Sequence, residues 1–269
     1  MMEAEAIRPL FFLMPLSGTF PVIRFASTTS TNEVAMQLAL QGGEHGTVVV
    51  AEQQVYGRGR GAKVFISPPG GLYMSVVLRP ELSAELLPLI TLAGGLACAS
   101  AVEEQTHLTV ALKWPNDLYL RGRKLGGILA QSAPYSPAAH GIPFVVLGIG
   151  INVNTSQESF PPELRSTVTS LYDTSLGQYD IDSLLGAIHS RLSALLPVLR
   201  ADVAAVVNEW RRRDYLLGRE ITWQDVRGRT MVGRGVGIRN DGSYQLQTAD
   251  GALHSILAGE VTLGPVGEQ

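Results

Sequence analysis

Apolar residues along this chain fall into runs of strand length and into longer stretches with helical spacing. Five apolar runs, at residues 46–51, 72–78, 108–113, 126–131 and 144–153, predict strands. Residues 33–40 predict a helix that follows Ser30-Thr31-Asn32 and is stopped by Gly42-Gly43. The mixture of both element types over the first 217 residues predicts an α+β domain.

Polar residues at the starts of apolar stretches predict three further helices. Ser83 is the expected N-cap of a helix that reaches about residue 105, and Asp180 and Asp202 are the expected N-caps of two later helices. In the first of these later helices, five apolar residues fall on one face: Leu184, Leu185, Ile188, Leu192 and Leu195.

The pattern changes from about residue 218, where short strand-like pieces are separated by single glycines. Asp241-Gly242 and Asp250-Gly251 stand between such pieces, and Asp-Gly favours the tight turn of an antiparallel hairpin. We therefore predict two domains. Residues 1–217 form the α+β domain, irregular over residues 1–20, and residues 218–269 form a small β barrel.

Composition excludes several classes of protein. The chain is 45% hydrophobic with a net charge of −3, which suits a buried core and argues against a general nucleic-acid binder. The single cysteine, Cys98, lies in an apolar run, so a disulfide framework within one chain is impossible and a reducing compartment is expected. Prolines interrupt the apolar start at residues 10–16, and no stretch is expected to be long and apolar enough for a membrane span, which needs about eighteen apolar residues. We expect a cytoplasmic protein.

Several familiar catalytic motifs are missing. There is no Gly-Lys dipeptide for a Walker-type phosphate loop and no Gly-x-Ser-x-Gly of a serine hydrolase. Residues 57–62 fit Gly-x-Gly-x-x-Ala, but an extended Ser-Pro-Pro segment follows where a dinucleotide site needs a helix. The five histidines are scattered singly, so no protein-held zinc site is expected.

Two segments remain that suggest chemistry: the glycine–arginine loop at residues 57–61, and residues 113–129 with sequence KWPNDLYLRGRKLGGIL. Taken singly, the loop could be a solvated turn or an RNA contact, Lys113 a surface lysine at a strand end, and Asn116-Asp117 a turn. Together they supply cations that reduce repulsion between anions, and glycine backbone that phosphate can approach closely. The pair indicates the joining of a carboxylate to a nucleotide.

The same segments give the chain a specific resemblance. Six blocks resemble biotin protein ligases and occur in the family's order over most of residues 27–155. They are Ser30-Thr31-Asn32, the Gln54 to Arg60 loop with Ala51 before it, residues 67–73, residues 113–117, residues 123–129 and residues 148–152. The resemblance implies a mixed-sheet catalytic domain of the biotin/lipoate ligase type, followed by a small SH3-like β barrel.

The resemblance also implies roles for the matching residues. It implies a biotin site that includes Lys124 and the residues Ser30, Thr31, Gln54, Gly57, Arg58, Gly127 and Gly150. For ATP it implies Lys124 and the residues Arg58, Arg60, Phe65, Asn116 and Asn152. The implied catalytic residues are Lys124, Arg58, Arg60 and Asp117, of which Asp117 would orient Lys124 or accept the proton of the incoming amine.

The implied reaction has two steps: biotin and ATP form biotinyl-5′-AMP and pyrophosphate, and a lysine of a biotin carboxyl carrier protein then takes the biotin. Mg²⁺ is expected to be held mainly by the ATP phosphates, with no metal site built from protein ligands. A homodimer is possible. Many family members carry a DNA-binding domain before the catalytic one; here Ser30 comes too early to leave room, so no DNA binding is expected.

Two features of the sequence bear on alternatives. The family loop usually continues with two more arginines and a tryptophan, whereas this chain has Gly61, Ala62, Lys63 and Phe65, which predicts a weaker hold on ATP. A lipoate or octanoate enzyme of the same fold is the nearest alternative, but those acids lack the ureido edge that Ser30, Thr31 and Gln54 would bind. A non-catalytic biotin or nucleotide sensor is a second alternative, against which Lys124 and Arg60 argue.

Overall fold

The computed structural model describes residues 20–61, 63–79, 86–134, 142–225 and 227–264. Its larger sheet has seven strands in the order β1-β2-β3-β7-β6-β5-β4, with β1 parallel to β2 and the other neighbours antiparallel. The strands are β1 (Val22–Thr28), β2 (Val48–Gln54), β3 (Leu72–Leu78), β4 (Ala111–Lys113), β5 (Asp117–Leu120), β6 (Arg123–Ser132) and β7 (Val145–Ile151). This mixed sheet confirms the predicted α+β class.

Five helices complete this part of the chain: α1 (Thr31–Leu40), α2 (Leu87–Thr106), α3 (Leu171–Ser175), α4 (Ile181–Ala201) and α5 (Val203–Arg211). Asp180 caps α4 by accepting from the backbone N–H groups of Asp182 and Ser183, and Asp202 caps α5 by accepting from Ala205. Both predicted caps are confirmed. Ser83, the predicted cap of α2, and residues 1–19 lie outside the described residues.

The helix α2 is the centre of the main core. Twelve of its residues are buried, and β4, β5, β6 and β7 pack on one part of it while α4 and α5 pack on another. Its length and mean hydropathy of 1.3 would suffice to cross a membrane, so the prediction that no stretch has these properties is wrong. Two thirds of that window (67%) is buried inside the fold, which is the setting of a core helix.

The C-terminal part of the chain forms a second, five-stranded antiparallel sheet in the order β11-β10-β9-β8-β12. Its strands are β8 (Glu220–Gln224), β9 (Thr230–Ile238), β10 (Tyr244–Gln247), β11 (Leu253–Ile256) and β12 (Glu260–Leu263). Both predicted Asp-Gly turns join neighbouring antiparallel strands, and their glycines, Gly242 and Gly251, have φ of 82° and 85°. The predicted small all-β module is therefore present.

The two sheets meet at the end of β4. The Trp114 ring lies 5.8 Å from the Tyr244 ring, and the Trp114 indole N–H donates to the Gly242 carbonyl at 3.0 Å. Asp214, just before the second sheet, accepts from the Tyr244 hydroxyl at 2.9 Å and from the Leu216 backbone N–H. Because these groups are largely buried, the second sheet is fixed against the same end of the first sheet that carries residues 113–117.

Candidate functional site

A cleft of about 660 Å³ lies between the two sheets. It is bordered by the loop at residues 57–65, by β4 to β7, and by Gln224, Asp225 and residues 258–262 of the second sheet. Eleven of the predicted site residues line it: Ser30, Thr31, Gln54, Arg58, Arg60, Phe65, Asn116, Asp117, Lys124, Gly127 and Gly150. Gly57 and Asn152 are the two predicted residues that are not among the lining residues.

Neutral polar groups form one end of the cleft. Gln54 Oε1 accepts from the Thr31 backbone N–H at 2.8 Å and from the Thr31 hydroxyl at 3.1 Å, and Gln54 Nε2 donates to the Ser67 hydroxyl at 2.9 Å. Ser30 is 1% exposed and its side chain makes no capping bond to α1, so its hydroxyl faces the cleft uncommitted to the helix. This end offers donors and acceptors that are held in place and carry no charge.

Three buried residues behind this end were not predicted as site residues. Asn32 donates to Gln131 Oε1 at 2.8 Å, and the Ser75 hydroxyl lies 2.6 Å from Asn32 Oδ1 and 2.8 Å from the Thr31 hydroxyl. Ser67 links Gln54 to the Phe65 carbonyl. One indication of the role of Ser75 was available from the sequence: it is a polar residue inside the otherwise apolar run of β3, and buried polar side chains require partners.

The loop at residues 57–65 folds back on itself as a short hairpin. The Phe65 N–H donates to the Gly57 carbonyl at 2.7 Å, and the Gly59 N–H donates to the Lys63 carbonyl at 2.8 Å. Gly57 is buried behind the lining: a Cβ atom there would lie 2.3 Å from the Phe65 carbonyl oxygen and 2.6 Å from the Ser67 hydroxyl. Glycine at this position is therefore a requirement of packing, not of mobility.

Glycines also keep the floor of the cleft flat. A Cβ atom at Gly150 would lie 2.6 Å from the Phe65 ring, so the half-buried Phe65 packs directly on the backbone of β7. A Cβ atom at Gly127 would lie 3.3 Å from Asp117 Oδ1. A side chain at Gly127 would occupy the space beside Asp117 and Lys124, and one at Gly150 would displace the Phe65 ring.

Charged groups form the other end of the cleft. Lys124 Nζ lies 2.6 Å from Asp117 Oδ1, where β5 and β6 run side by side. Arg58 pairs with Glu33, which also accepts from the Thr29 hydroxyl. Arg60 donates to the Gly259 carbonyl at 3.2 Å, and its burial lowers the pKa of its guanidinium, while Asp117 and Glu260 act to raise it. The predicted cations are thus brought together within one cleft.

The lysines of this chain have an unusual distribution. Of 21 lysine and arginine residues in the sequence only three are lysines, and all three, Lys63, Lys113 and Lys124, line this cleft. Lys63 pairs with Glu260 of β12 at 2.7 Å. Sequence reasoning left Lys113 open as a surface lysine, but in the structure it is partly buried and faces the cleft.

The two predicted asparagines have different settings. Asn116 lines the cleft, and its side-chain amide donates to the Ile128 carbonyl at 2.7 Å, which leaves its oxygen for a ligand. Asn152 is 3% exposed and donates to the Thr169 carbonyl at 2.9 Å. Its side chain fixes the segment before α3, and Asn152 is not among the residues that line the cleft, so its role as a nucleotide contact stays a prediction.

The chemistry of the cleft follows from its two ends. A ligand with a neutral polar head and an anionic tail would place its head at Thr31 and Gln54 and its tail among Arg58, Arg60 and Lys124. Within the ranges that the structure describes, no three His, Cys, Asp or Glu side chains cluster as metal ligands. The arrangement of cations suits the meeting of two anions, because positive groups stabilise the charge that they bring together.

Two family models match the chain. The Biotin/lipoate A/B protein ligase family matches residues 23–152, and the Biotin protein ligase C terminal domain matches residues 216–264. The first match includes the neutral end, the loop and the Asp117–Lys124 pair, and the second includes the residues of the second sheet that border the cleft.

Individual relatives agree with these matches. The chain is 30% identical over 241 residues to the bifunctional ligase/repressor BirA of Bacillus spizizenii, covering 88% of this chain and 72% of that protein. It is 30% identical to the biotin–[acetyl-CoA-carboxylase] ligase of Mycobacterium tuberculosis, covering 88% and 86%. A solved structure of the Aquifex aeolicus biotin protein ligase with biotin and ATP has a TM-score of 0.78 at 30% identity, covering 90% of this chain and 98% of that one.

Proposed function

The chain belongs to the biotin protein ligase family, and from this premise we propose how its cleft works. It is an ATP-dependent ligase that activates biotin as biotinyl-5′-AMP and transfers the biotin to a lysine of a biotin carboxyl carrier protein. The observation that carries this function is the single cleft in which the Thr31–Gln54 network lies beside Lys124, Arg58 and Arg60.

Biotin is bound head first at the neutral end. Its ureido group has one carbonyl oxygen and two N–H groups, which match the fixed donors and acceptors of Ser30, Thr31 and Gln54. Gly57, by its close packing, sets the path of the loop beside this group. The backbone of Gly127 leaves room for the rings and valeryl chain, and the lack of a side chain at Gly150 admits the Phe65 ring that borders this part of the cleft.

The first step joins two anions. A carboxylate oxygen of biotin attacks the α-phosphorus of ATP, the bond from that phosphorus to the bridging oxygen breaks, and pyrophosphate leaves with the electron pair. Arg58, Arg60 and Lys124 are placed to stabilise the negative charge that accumulates in this transition state. Phe65 and Asn116 are proposed to contact the nucleotide base, Phe65 by stacking and Asn116 through its uncommitted oxygen.

The second step transfers the acyl group. The amine of the carrier lysine attacks the carbonyl carbon of biotinyl-5′-AMP, an amide bond forms and AMP leaves. Asp117 holds Lys124 at 2.6 Å and is the carboxylate best placed to receive the proton that the attacking amine loses. The mixed anhydride must also be kept from water, and we propose that the loop at residues 57–65, which borders the cleft, does this when the ligands are bound.

We propose that Mg²⁺ accompanies ATP and is held by the phosphates. The cleft residues do not supply a closed set of oxygen ligands, because Asp117 and Glu260 are each paired with a lysine. When bound, the metal would reduce the negative charge of the phosphates. We also propose that the two domains divide between residues 217 and 218, and that the enzyme acts in the cytoplasm on the carboxylase's carrier domain.

The nearest competing substrates are lipoate and octanoate, because the matched family includes lipoate enzymes. Octanoate has no hydrogen-bonding head, and lipoate ends in a dithiolane ring. Neither acid can form hydrogen bonds with the polar side chains at this end, so covering them would remove water without a replacing hydrogen bond, which disfavours binding. The neutral polar end of the cleft therefore favours biotin.

The test is ATP–pyrophosphate exchange by the purified protein with biotin, lipoate, octanoate or no acid. We expect exchange with biotin, and we expect Lys124→Ala to reduce it by about 100-fold or more, the loss typical when one charge-stabilising group is removed. Arg234→Gln, which removes an exposed positive charge from β9, should exchange normally. Exchange with lipoate or octanoate but not biotin would disprove the proposed substrate.

A further inference from the structure

We propose that Lys113 binds the β- and γ-phosphates of ATP, and then the leaving pyrophosphate, with Tyr119 as the residue that positions it. This inference rests on the proposed function, because it names a further group for the same reaction. It concerns a lysine at the end of β4 that opens the segment containing the Asp117–Lys124 pair.

The first observation is that Lys113 forms no ion pair with any residue that the structure describes. Its ammonium lies 3.4 Å from the Tyr119 hydroxyl and 5.3 Å from the centre of the Tyr119 ring. In the described part of the chain it forms no ion pair within 4.0 Å. A partly buried ammonium without a carboxylate is unfavourable unless an anion binds beside it.

The second observation is how the other cations of the cleft are occupied. Lys124 is paired with Asp117, Lys63 with Glu260, and Arg58 with Glu33. Arg60 contacts a backbone carbonyl oxygen. Among the described cleft residues, Lys113 and Arg60 therefore carry the positive charge that no side-chain carboxylate neutralises within ion-pair distance.

These two cations share one neighbourhood. Lys113 and Arg60 both line the cleft, as do Asp117 and Glu260, and these two carboxylates act on the pKa of both cations. Burial lowers the pKa of Lys113, Asp117 and Glu260 act to raise it, and Lys124 and Lys63 act to lower it further. A multivalent anion between Lys113 and Arg60 would relieve the repulsion among these cations, and pyrophosphate is the multivalent anion of this reaction.

The third observation is the aromatic support under Lys113. The centre of the Tyr119 ring lies 4.6 Å from the centre of the Tyr215 ring. The Arg219 guanidinium in turn lies 4.1 Å from the centre of the Tyr215 ring. Burial, with Asp117 nearby, raises the pKa of Tyr119 to about 12. Its hydroxyl therefore stays protonated and can accept a hydrogen bond from the Lys113 ammonium, which fixes the position of that ammonium.

In the reaction this arrangement acts on the leaving group. As the bond between the α-phosphorus and the bridging oxygen breaks, negative charge accumulates on pyrophosphate, and the Lys113 ammonium stabilises it without giving up a proton. A compact ammonium suits this place, because it behaves as a point charge that can follow the phosphate as it departs.

The test measures the activation step and the transfer step separately in Lys113→Gln. The control is Arg234→Gln, which also removes one positive charge. In ATP–pyrophosphate exchange we expect the apparent KM values for ATP and pyrophosphate to rise by about 10- to 100-fold. This is the loss of affinity expected when one hydrogen bond to a charged group is removed. Biotin affinity without ATP and transfer from supplied biotinyl-5′-AMP to carrier protein should stay close to wild type, since neither involves pyrophosphate.

Two further variants test whether Lys113 binds phosphate or only supports the fold. Lys113→Arg keeps the charge and should recover most of the lost pyrophosphate affinity. Tyr119→Phe should raise the KM for pyrophosphate by a few-fold with little change in biotin affinity. Equal losses in Lys113→Gln and Lys113→Arg, together with lowered melting temperatures, would overturn the proposal, as would unchanged KM values in Lys113→Gln. Absence of biotin-dependent exchange in the wild type would instead disprove the proposed function.

Discussion

Single glycines decide how closely the loop and the sheet approach each other in the cleft. Gly57 shows this most directly, because any side chain there would overlap the Phe65 carbonyl oxygen and the Ser67 hydroxyl, which also holds Gln54. The loop would have to move away from the neutral end of the cleft, and the amide of Gln54 would lose its fixed orientation. Such a substitution should lower the affinity for biotin more than it lowers the free energy of unfolding.

We therefore expect Gly57→Ala to weaken biotin binding by at least about 10-fold, the equivalent of one displaced hydrogen bond. The control is Gly186→Ala in α4, where a Cβ atom meets nothing within 4 Å. That substitution should leave biotin affinity unchanged and stabilise the fold by roughly 0.5–1 kcal/mol, because alanine is the better helix former. Calorimetric titration with biotin measures the first effect, and a tight-binding Gly57→Ala protein would contradict it.

At the scale of elements, capping is the local interaction that the sequence expresses most clearly. Asp180 accepts two backbone N–H groups at the start of α4, and this helix buries Leu184, Leu185, Ile188 and Leu192 against the core. We expect Asp180→Ala to lower the free energy of unfolding by about 1 kcal/mol. Ser190→Ala, at an exposed position of the same helix, should lower it little or not at all.

Denaturant unfolding of the two variants measures this difference. A loss of stability in Ser190→Ala as large as that in Asp180→Ala would mean that the cap does not contribute to α4. Since neither residue lines the cleft, the exchange activity of both variants should match wild type at temperatures where they are folded.

Elements that bury one continuous apolar surface were predictable from sequence. The structure confirms β3 at the predicted residues 72–78, and the predicted strands at residues 126–131 and 144–153 correspond to β6 and β7. The strand β1 was missed because only its first and last residues are buried, which leaves no clear alternation. The four residues of β5 were missed because their pairing with β4 and β6 decides their conformation, and pairing leaves no local signal.

At the scale of the whole molecule, the junction of the two sheets contains a carboxylate with a raised pKa. Burial raises the pKa of Asp214 to about 6, and hydrogen bonds from Leu216 and Tyr244 oppose this only in part. Between about pH 4 and pH 6 the folded protein thus holds a proton that the unfolded chain releases. This contribution to stability is complete below the unfolded pKa and is lost as the pH rises through 6.

We expect the melting temperature of wild type, relative to Asp214→Asn, to increase as the pH falls from 7 to 5. The asparagine is neutral at both pH values, and the other titrating groups cancel in the comparison. Between pH 7 and pH 5 the difference should amount to about 1 kcal/mol, because the folded pKa of about 6 lies inside this range and the unfolded pKa lies below it. Thermal unfolding in a series of buffers measures it, and parallel curves for the two proteins would show that Asp214 does not titrate in this range.

The site itself was predictable from sequence only on the side of the first sheet. The glycine–arginine loop and residues 113–129 are local motifs, and the structure brings their charged groups together. Glu260 and the Gly259 carbonyl, which contact Lys63 and Arg60, come from nearly 200 residues further along the chain. Only the docking of the second sheet through Trp114 and Tyr244 places them there, and no local pattern encodes that docking.

The restriction of lysine to the cleft has a practical consequence for spectroscopy. Reductive methylation with ¹³C-formaldehyde adds labelled methyl groups to primary amines, so in this chain it would label three side chains, Lys63, Lys113 and Lys124, and the α-amine. A two-dimensional carbon–proton spectrum of the whole protein would then consist almost entirely of reporters at the cleft. The order in which biotin, nucleotide and carrier protein shift these few resonances would follow the occupation of the cleft in solution, without a substitution in the chain.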